Sequence, residues 1–305
     1  MVTYNLRTMQ VCEIKEDTVV ALGTFDGCHL GHASVFKNAF YEAKKRKASL
    51  VAYTFFDSPK TKDGKPVAKL LTLEEKLSAF RGFGADYVAL DDFEDVKNMS
   101  GEDFVKTVLC DKLHVVCACC GFNYRFGKNA SMNAEDLKRE VEKMGGSVVI
   151  SEKILLGNEP LSSTKLREMV ENGMVGEIQA YMPPYSIYAI VEEGKHLGRR
   201  LGFPTINQRI PEGKVIPKRG VYITECYIGE DTYPAVTNVG VRPTVDGNDI
   251  LNVESHIIGY DGMLYGSYIK VVFREFIRDE MQFDSLDALT KQVNLDIERS
   301  KNYFN

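Results

Sequence analysis

The sequence predicts an α/β chain in two successive parts: a parallel sheet wound with helices, then a small six-stranded antiparallel β-barrel with a C-terminal helix. Three observations lead there. From Thr18 to about residue 170, short apolar runs alternate with helical stretches, as in a parallel sheet covered by helices. From Ser186 onward, β-rich runs follow closely, separated by Gly, Asp and Pro, as in a small barrel. Between them, ENGMVGEIQAYMPPYS holds two glycines and the Pro183–Pro184 pair, which cannot continue a helix. The expected domains are therefore 1–183 and 184–305.

Length and composition agree with two globular domains. The chain has 305 residues, 44% hydrophobic and 27% charged, ordinary values for a soluble protein. A net charge of −5 argues against a nucleic-acid partner, which calls for a basic excess. No apolar run approaches the roughly 18 residues that span a bilayer, and MVTYNLRTMQ has no signal-peptide core. The expectation is a cytoplasmic protein with small-molecule partners, no membrane association, and room for a homo-oligomer. Seven cysteines, an odd number, fit reduced thiols. Cys117, Cys119 and Cys120 lie in a β-type run without a second ligand pair, so they read as small buried hydrophobes.

The first strand, Thr18 to Leu22, breaks at GTFDGCHLGH, and GHASVFKNAFYEAKKRK resumes as a helix. Such a turn aims free N–H groups and a positive dipole end at one point, a site for phosphate. His29 and His32, three residues apart, can meet one anion from the same side. SLVAYTF is the next strand. TLEEKLSAFRGFG has Thr72 and Glu75 at capping-box spacing and closes on glycine, so it is a helix. ADYVAL, HVVCACC and GSVVIS are further strands. The helices between and after them are SGEDFVKTVLCDKL (cap Ser100), NAEDLKREVEKMGG (cap Asn133) and SSTKLREMVENG. GFNYRFGKNAS brings Asn123, Arg125 and Lys128 to the sheet's carboxyl edge, where ligands of such sheets bind. LSSTKLR puts hydroxyls and cations at a helix start, as anion contacts or simply as caps from Ser162 or Ser163.

In the second half, SIYAIVEEG, PTINQRI, GVYITECYIG, TYPAVTNVG, NVESHIIGY and SYIKVVFREF read as six strands. DSLDALTKQVNLDIERS reads as the final helix, with Asp284 as cap and Leu286, Leu289, Val293 and Ile297 as its apolar stripe. GKHLGRRLGFPTIN spaces Gly194, Gly198 and Gly202 by four among Lys195, Arg199 and Arg200, and such a loop can close backbone N–H groups on phosphate. It lacks the Lys-Ser/Thr ending of a P-loop. Thr205 and Asn207 offer a hydroxyl and an amide oxygen on one face, a pairing suited to Mg²⁺.

These motifs carry a resemblance. GTFDGCHLGH, NYRFG and LSSTKLR, in that order, resemble the FMN adenylyltransferase module of bacterial bifunctional riboflavin kinase/FAD synthetases, a Rossmann-like nucleotidyltransferase domain. GFPTIN, GVY, NVGVRPT, VESHI, LYGSYIKVVF and RDEMQF resemble the riboflavin kinase module of the same family. The likeness implies phosphorylation of riboflavin to FMN and adenylylation of FMN to FAD, with ATP and Mg²⁺. It implies ATP contacts from Gly23, Phe25, Asp26, Gly31, Asn123, Ser163, Thr164 and Arg167 in the first part, with His29 and His32 stabilising the reacting phosphates. In the second it implies ATP contacts from Gly194, Lys195, Gly198, Gly202 and Pro204, metal ligands Thr205 and Asn207, and Glu254 as base. Arg278 and Glu280 would line the flavin pocket. The chain departs from the family pattern at Asp57, Ser58, Met132, Asn133 and Pro160. The alternatives are a kinase with a weakened or inactive adenylyltransferase module, and a flavin- or nucleotide-binding regulatory protein.

Overall fold

The structure is a computed structural model describing residues 1–6, 14–56, 66–194, 198, 201–242 and 250–305. Its contacts divide the chain into two compact units, Met1–Ser163 and Thr164–Asn305.

In the first unit, β1 (Val2–Asn5), β2 (Thr18–Leu22), β3 (Ser49–Phe55), β4 (Tyr87–Asp91), β5 (Val115–Gly121) and β8 (Ser147–Ser151) form one sheet in the order β1-β4-β3-β2-β5-β8. All five pairings are parallel. Between β5 and β8 lie the two-residue strands β6 (Arg125–Phe126) and β7 (Met132–Asn133), which pair with each other. β9 (Leu155–Leu156) and β10 (Glu159–Pro160) form a second small ribbon. The helices are α1 (Leu30–Arg46), α2 (Leu73–Gly82), α3 (Phe93–Val96), α4 (Gly101–Asp103) and α5 (Ala134–Lys143). α4 runs on as a π-helical stretch, Phe104–Lys112, where one α-helix was expected. β1 was not anticipated; its four residues add an edge beside β4.

β2 shows why the sheet is central. All five of its residues are buried. Val19 and Ala21 join the core on the α1 side, and Val20 and Leu22 the core on the opposite side. Alternate residues of a strand face opposite ways, so a strand buried on both faces must be apolar throughout. The same alternation divides Cys117 and Cys119 from Cys120. The described cysteines are free thiols, and among the described residues no cluster of His, Cys, Asp or Glu could hold a metal. The chain progresses one way from β2 to β3 and β4, then returns to β5 on the other side of β2. That reversal opens a crevice at the carboxyl ends of β2 and β5.

α6 (Ser163–Glu171) spans the division between the units. The second unit's strands are β11 (Ser186–Ile190), β12 (Ile206–Arg209), β13 (Gly220–Ile228), β14 (Asp231–Arg242), β15 (Ile250–Ile257) and β16 (Tyr268–Arg278), in the order β11-β16-β13-β14-β15-β12. Every pairing is antiparallel. The two ends meet: Glu192 bridges Asn207, and the buried Gln208 donates to Ala189 O at 2.7 Å and Ile269 O at 2.8 Å. The sheet is thus a nearly closed six-stranded barrel.

α7 (Leu286–Phe304) ends the chain. Its cap is Ser285, whose hydroxyl accepts from Ala288 N at 3.1 Å, rather than Asp284. Leu286, expected at the head of the apolar stripe, is exposed, while Leu289, Val293 and Ile297 are half-buried. What anchors α7 is polar. Asp296, 3% exposed, takes Arg278 Nη2 at 2.7 Å and Nε at 3.1 Å. Cutting one member of such a pair leaves a buried charge without its counterion. Arg278→Met should therefore cost about 3 kcal/mol of stability, read as an earlier barrel transition in chemical denaturation of the full chain.

Candidate active sites

The turn after β2 is built under backbone strain. Phe25 and Cys28 adopt positive φ, 52° and 42°, a region costly for residues with a Cβ unless packing enforces it. Packing does so here: Phe25 is fully buried, its ring 4.8 Å from that of Phe36 and 5.5 Å from that of Phe80. The turn is tied down further by Asp26, whose carboxylate accepts from Leu70 N at 2.9 Å and Leu71 N at 3.3 Å. Ser163 Oγ donates to Asp26 O at 2.7 Å, and Lys76 Nζ to Thr24 O at 3.0 Å.

The helix that follows begins open. His29 is the N-cap of α1 but makes no capping side-chain bond, and its first turn has no acidic residue. By contrast α2 and α5 carry capping boxes from Thr72 and Asn133. A helix start of this kind, with no side-chain cap and no acidic residue, suits an anion. Over this start the rings of His29 and His32 stack, centroids 3.7 Å apart and planes 16° from parallel, with the edge of Phe25 against His32. The stack requires Gly31, because a Cβ there would meet the His29 ring at 3.0 Å. Nδ1 of both imidazoles is buried without a hydrogen-bond partner among the described residues. Burial pushes His29 down to about 4. His32 also falls well below its ordinary value, first through burial, then through His29 and Lys76. Both imidazoles are therefore neutral at neutral pH.

The histidines face a cavity of about 860 Å³, whose lining includes Gly23, Phe25, His29, Gly31, His32, Asn123 and Ser163. The turn from Gly23 to His32 thus meets Asn123 and Ser163, distant in sequence, in one space. Asp26 lies behind them, engaged with backbone. The aromatic lining was not foreseen from the sequence: it includes Tyr53, Phe55, Phe104, Tyr124 and Phe126. Tyr53 donates to the buried Asp91 at 2.9 Å, and burial raises that carboxyl above its usual range. Lys76, a buried cation behind the turn, also escaped sequence reading because capping-box spacing marked only its neighbours. Thr164 and Arg167 sit one turn apart on α6, with Arg167 Nη1 donating to Thr164 Oγ1 at 3.3 Å. The departures Met132 and Asn133 have local employment: Met132 packs against Gly101, and Asn133 caps α5. Pro160 is exposed in β10.

In the barrel, Thr205 and Asn207 line a second cavity of about 290 Å³, with Pro204 and the loop from Tyr260 to Tyr265. That loop was not singled out as a site beforehand. Asn207 is buried beneath Gly194, where a Cβ would fall 2.4 Å from its Nδ2; only glycine lets the loop approach this closely. Register places Glu254 directly opposite Asn207 on one side and Asn238 on the other. Pro204 O meets His256 Nδ1 at 2.9 Å. Gly198 closes a turn by accepting from Phe203 N at 2.9 Å, and Gly202 has φ of 90°. Lys195, Arg199 and Arg200 lie outside the described residues, as do Asp57 and Ser58. Arg278 is held by Asp296, and Glu280 folds over Gly240 beside Asn238.

Fold and sites together define a nucleotide-handling α/β unit followed by a β-barrel with a site of its own. The FAD synthetase family model matches residues 11–165 and the riboflavin kinase model residues 181–304. The chain is 30% identical over 295 residues to the bifunctional riboflavin kinase/FMN adenylyltransferase of Escherichia coli K12, covering 95% of this chain and 94% of that one. The Bacillus subtilis protein of the same name is 28% identical over 301 residues, covering 95% of each. A Streptococcus pneumoniae crystal structure titled as a macrolide-efflux protein superposes with TM-score 0.89 at 28% identity, covering 99% of both chains. Among the described residues no helix is long and apolar enough to cross a membrane. The chain belongs to the bifunctional riboflavin kinase/FMN adenylyltransferase family.

The histidine pair makes a testable mark on stability. With folded pKa values below the ordinary 6.5, and about 4 for His29, the unfolded chain binds more protons across that interval. The pair's contribution is complete above pH 6.5 and fades as pH falls toward 4. Melting temperature should rise between pH 4.5 and 7, and the His29→Gln, His32→Gln double variant should show a shallower rise by scanning fluorimetry.

Proposed function

We propose that the two cavities perform successive steps of flavin cofactor synthesis, each with its own ATP. The barrel phosphorylates riboflavin to FMN; the sheet unit joins FMN to an adenylyl group, giving FAD and pyrophosphate. The observation that carries this reading is the stacked, neutral His29–His32 pair over an uncapped helix start, in a cavity that also has aromatic lining. Phosphate and planar ring would each find a complement in one space, and its volume is ample for a nucleotide and flavin side by side.

For adenylyl transfer, an FMN phosphate oxygen attacks the α-phosphorus of ATP as the bond to pyrophosphate breaks. Negative charge grows on the phosphate oxygens. The α1 N–H groups and the two imidazoles are fixed in place beforehand, so they stabilise that charge without reorganising, commonly the largest catalytic contribution. Asn123 and Ser163 orient phosphates, and Thr164 and Arg167 take the leaving pyrophosphate. Strain at Phe25 and Cys28 keeps the turn in the one shape that serves this.

For phosphorylation, Glu254 accepts the proton of the terminal ribityl hydroxyl as its oxygen attacks the γ-phosphorus and ADP leaves. Thr205 and Asn207 are a fitting pair for Mg²⁺, a hydroxyl and an amide oxygen beside one cavity with space for phosphate and water. Such an ion would neutralise charge on the transferring phosphate. Gly194, Gly198, Gly202 and Lys195 serve the ATP phosphates, and Arg278 and Glu280 border the flavin. The functional division falls near residue 184, and the setting is cytoplasmic.

Incubating the purified chain with riboflavin, ATP and Mg²⁺, then separating the flavins, tests the whole reading: FAD should accumulate. FMN alone would indicate the weakened-adenylyltransferase alternative, and unchanged riboflavin a binding protein. Glu254→Gln should lower FMN formation by at least about 100-fold while FMN is still converted to FAD. The His29→Ala, His32→Ala variant should do the reverse; a normal rate of FAD formation from it would refute the assignment of the turn.

A further inference from the structure

We propose that Asn252 is a positioning residue of the barrel reaction, locking Glu254 and Asn207 into one arrangement. The inference rests on the reading of Glu254 as the base and Asn207 as a ligand on the phosphate side.

β15 lies between β12 and β14. Asn207 of β12 stands directly opposite Glu254, and Asn252, two residues earlier in β15, presents its side chain on the same face. Asn252 Nδ2 is 2.8 Å from Asn207 Oδ1 and 3.1 Å from Glu254 Oε1. An amide nitrogen carries two hydrogens, and here each has its own acceptor. Asn252 is 6% exposed and Asn207 5%, so water competes little for either bond.

The arrangement has consequences for both partners. A carboxylate and an amide oxygen side by side are two acceptors that repel one another; a donor between them removes the conflict. Gly194 above the Nδ2 of Asn207 and Asn252 beside its Oδ1 together fix which way round that amide lies. Holding Oε1 of Glu254 fixes the carboxylate plane and leaves Oε2 to take the substrate proton. A base misplaced by an ångström loses much of its effect, so the predicted signature is a fall in kcat without weaker riboflavin binding.

Asn252→Asp keeps the shape and exchanges the Nδ2 donor for an oxygen, and Asn252→Leu removes it with a larger apolar side chain; Asn252→Gln retains the donor. In the full chain with riboflavin, ATP and Mg²⁺, the first two should lower kcat for FMN formation at least tenfold. Riboflavin KM, riboflavin affinity by fluorescence quenching and FMN-to-FAD conversion should stay near wild type, while melting temperature falls modestly because buried acceptors lose their donor. Asn252→Gln should recover most of the lost rate. Wild-type kcat in both donor-less variants, or a loss matched by an equal loss in riboflavin affinity, would overturn the proposal. Glu254→Gln run in parallel separates it from its premise. If that variant is inactive while Asn252→Asp is normal, Asn252 alone is misassigned; if Glu254→Gln is fully active, the base itself is.

Discussion

An α-helix cannot satisfy its own first N–H groups, and α1 begins at His29, whose side chain makes no capping bond. Much of the first unit is arranged around that start. β2 must be buried on both faces so that its carboxyl end is rigid. Phe25 must fill the core so that the turn holds its left-handed residues. Gly31 must lack a side chain so that His29 can lie flat on His32. The rest of the sheet is scaffolding for this terminus, and the other helices, capped by Thr72, Ser100 and Asn133, show what an ordinary start looks like in the same chain.

The barrel solves a similar problem by different means. It uses no long helix terminus; the polar groups come from side chains on adjacent strands. Antiparallel register sets Asn207, Glu254 and Asn238 in one row, and the loop at Gly194 covers the row's end. A strand site of this kind gains precision from two neighbouring strands at once, but its acceptor groups need donors placed among them. Asn252 supplies one. α7 is secured on the same logic, an arginine of β16 bound to the buried Asp296.

What the sequence made legible was whatever is contiguous. GTFDGCHLGH and GFPTIN stand out because glycines, histidines and the Thr–Asn pair fall within a few residues, and local geometry follows from local spacing. Alternating apolar runs likewise disclosed the parallel sheet and the six barrel strands. Features that depend on register or on distant packing stayed hidden. Lys76 reaches Thr24 across 52 residues. Tyr53, Phe104 and Tyr124 line one cavity only after the sheet has formed. Asn252 looks like any strand residue until β12 is laid beside it. The bond from Arg278 to Asp296 was hidden likewise, because Asp296 lies 18 residues on, in another element.

The departures from the family pattern illustrate the same distinction between spacing and packing. Read linearly, Met132 and Asn133 replace a Gly-Asp and suggest a site losing its function. In three dimensions Asn133 closes a capping box with Asp136, and Met132 fills the space over Gly101 beside Phe126. Both residues stabilise the start of α5 and the ribbon that carries Arg125 and Phe126 past the cavity. A substitution that keeps a loop in position preserves the cavity's walls even where it removes a polar group, and the histidine stack, with its two buried Nδ1 atoms awaiting a partner, is intact. A side chain buried with an unmet hydrogen-bonding atom costs stability, and the stack places two such atoms side by side.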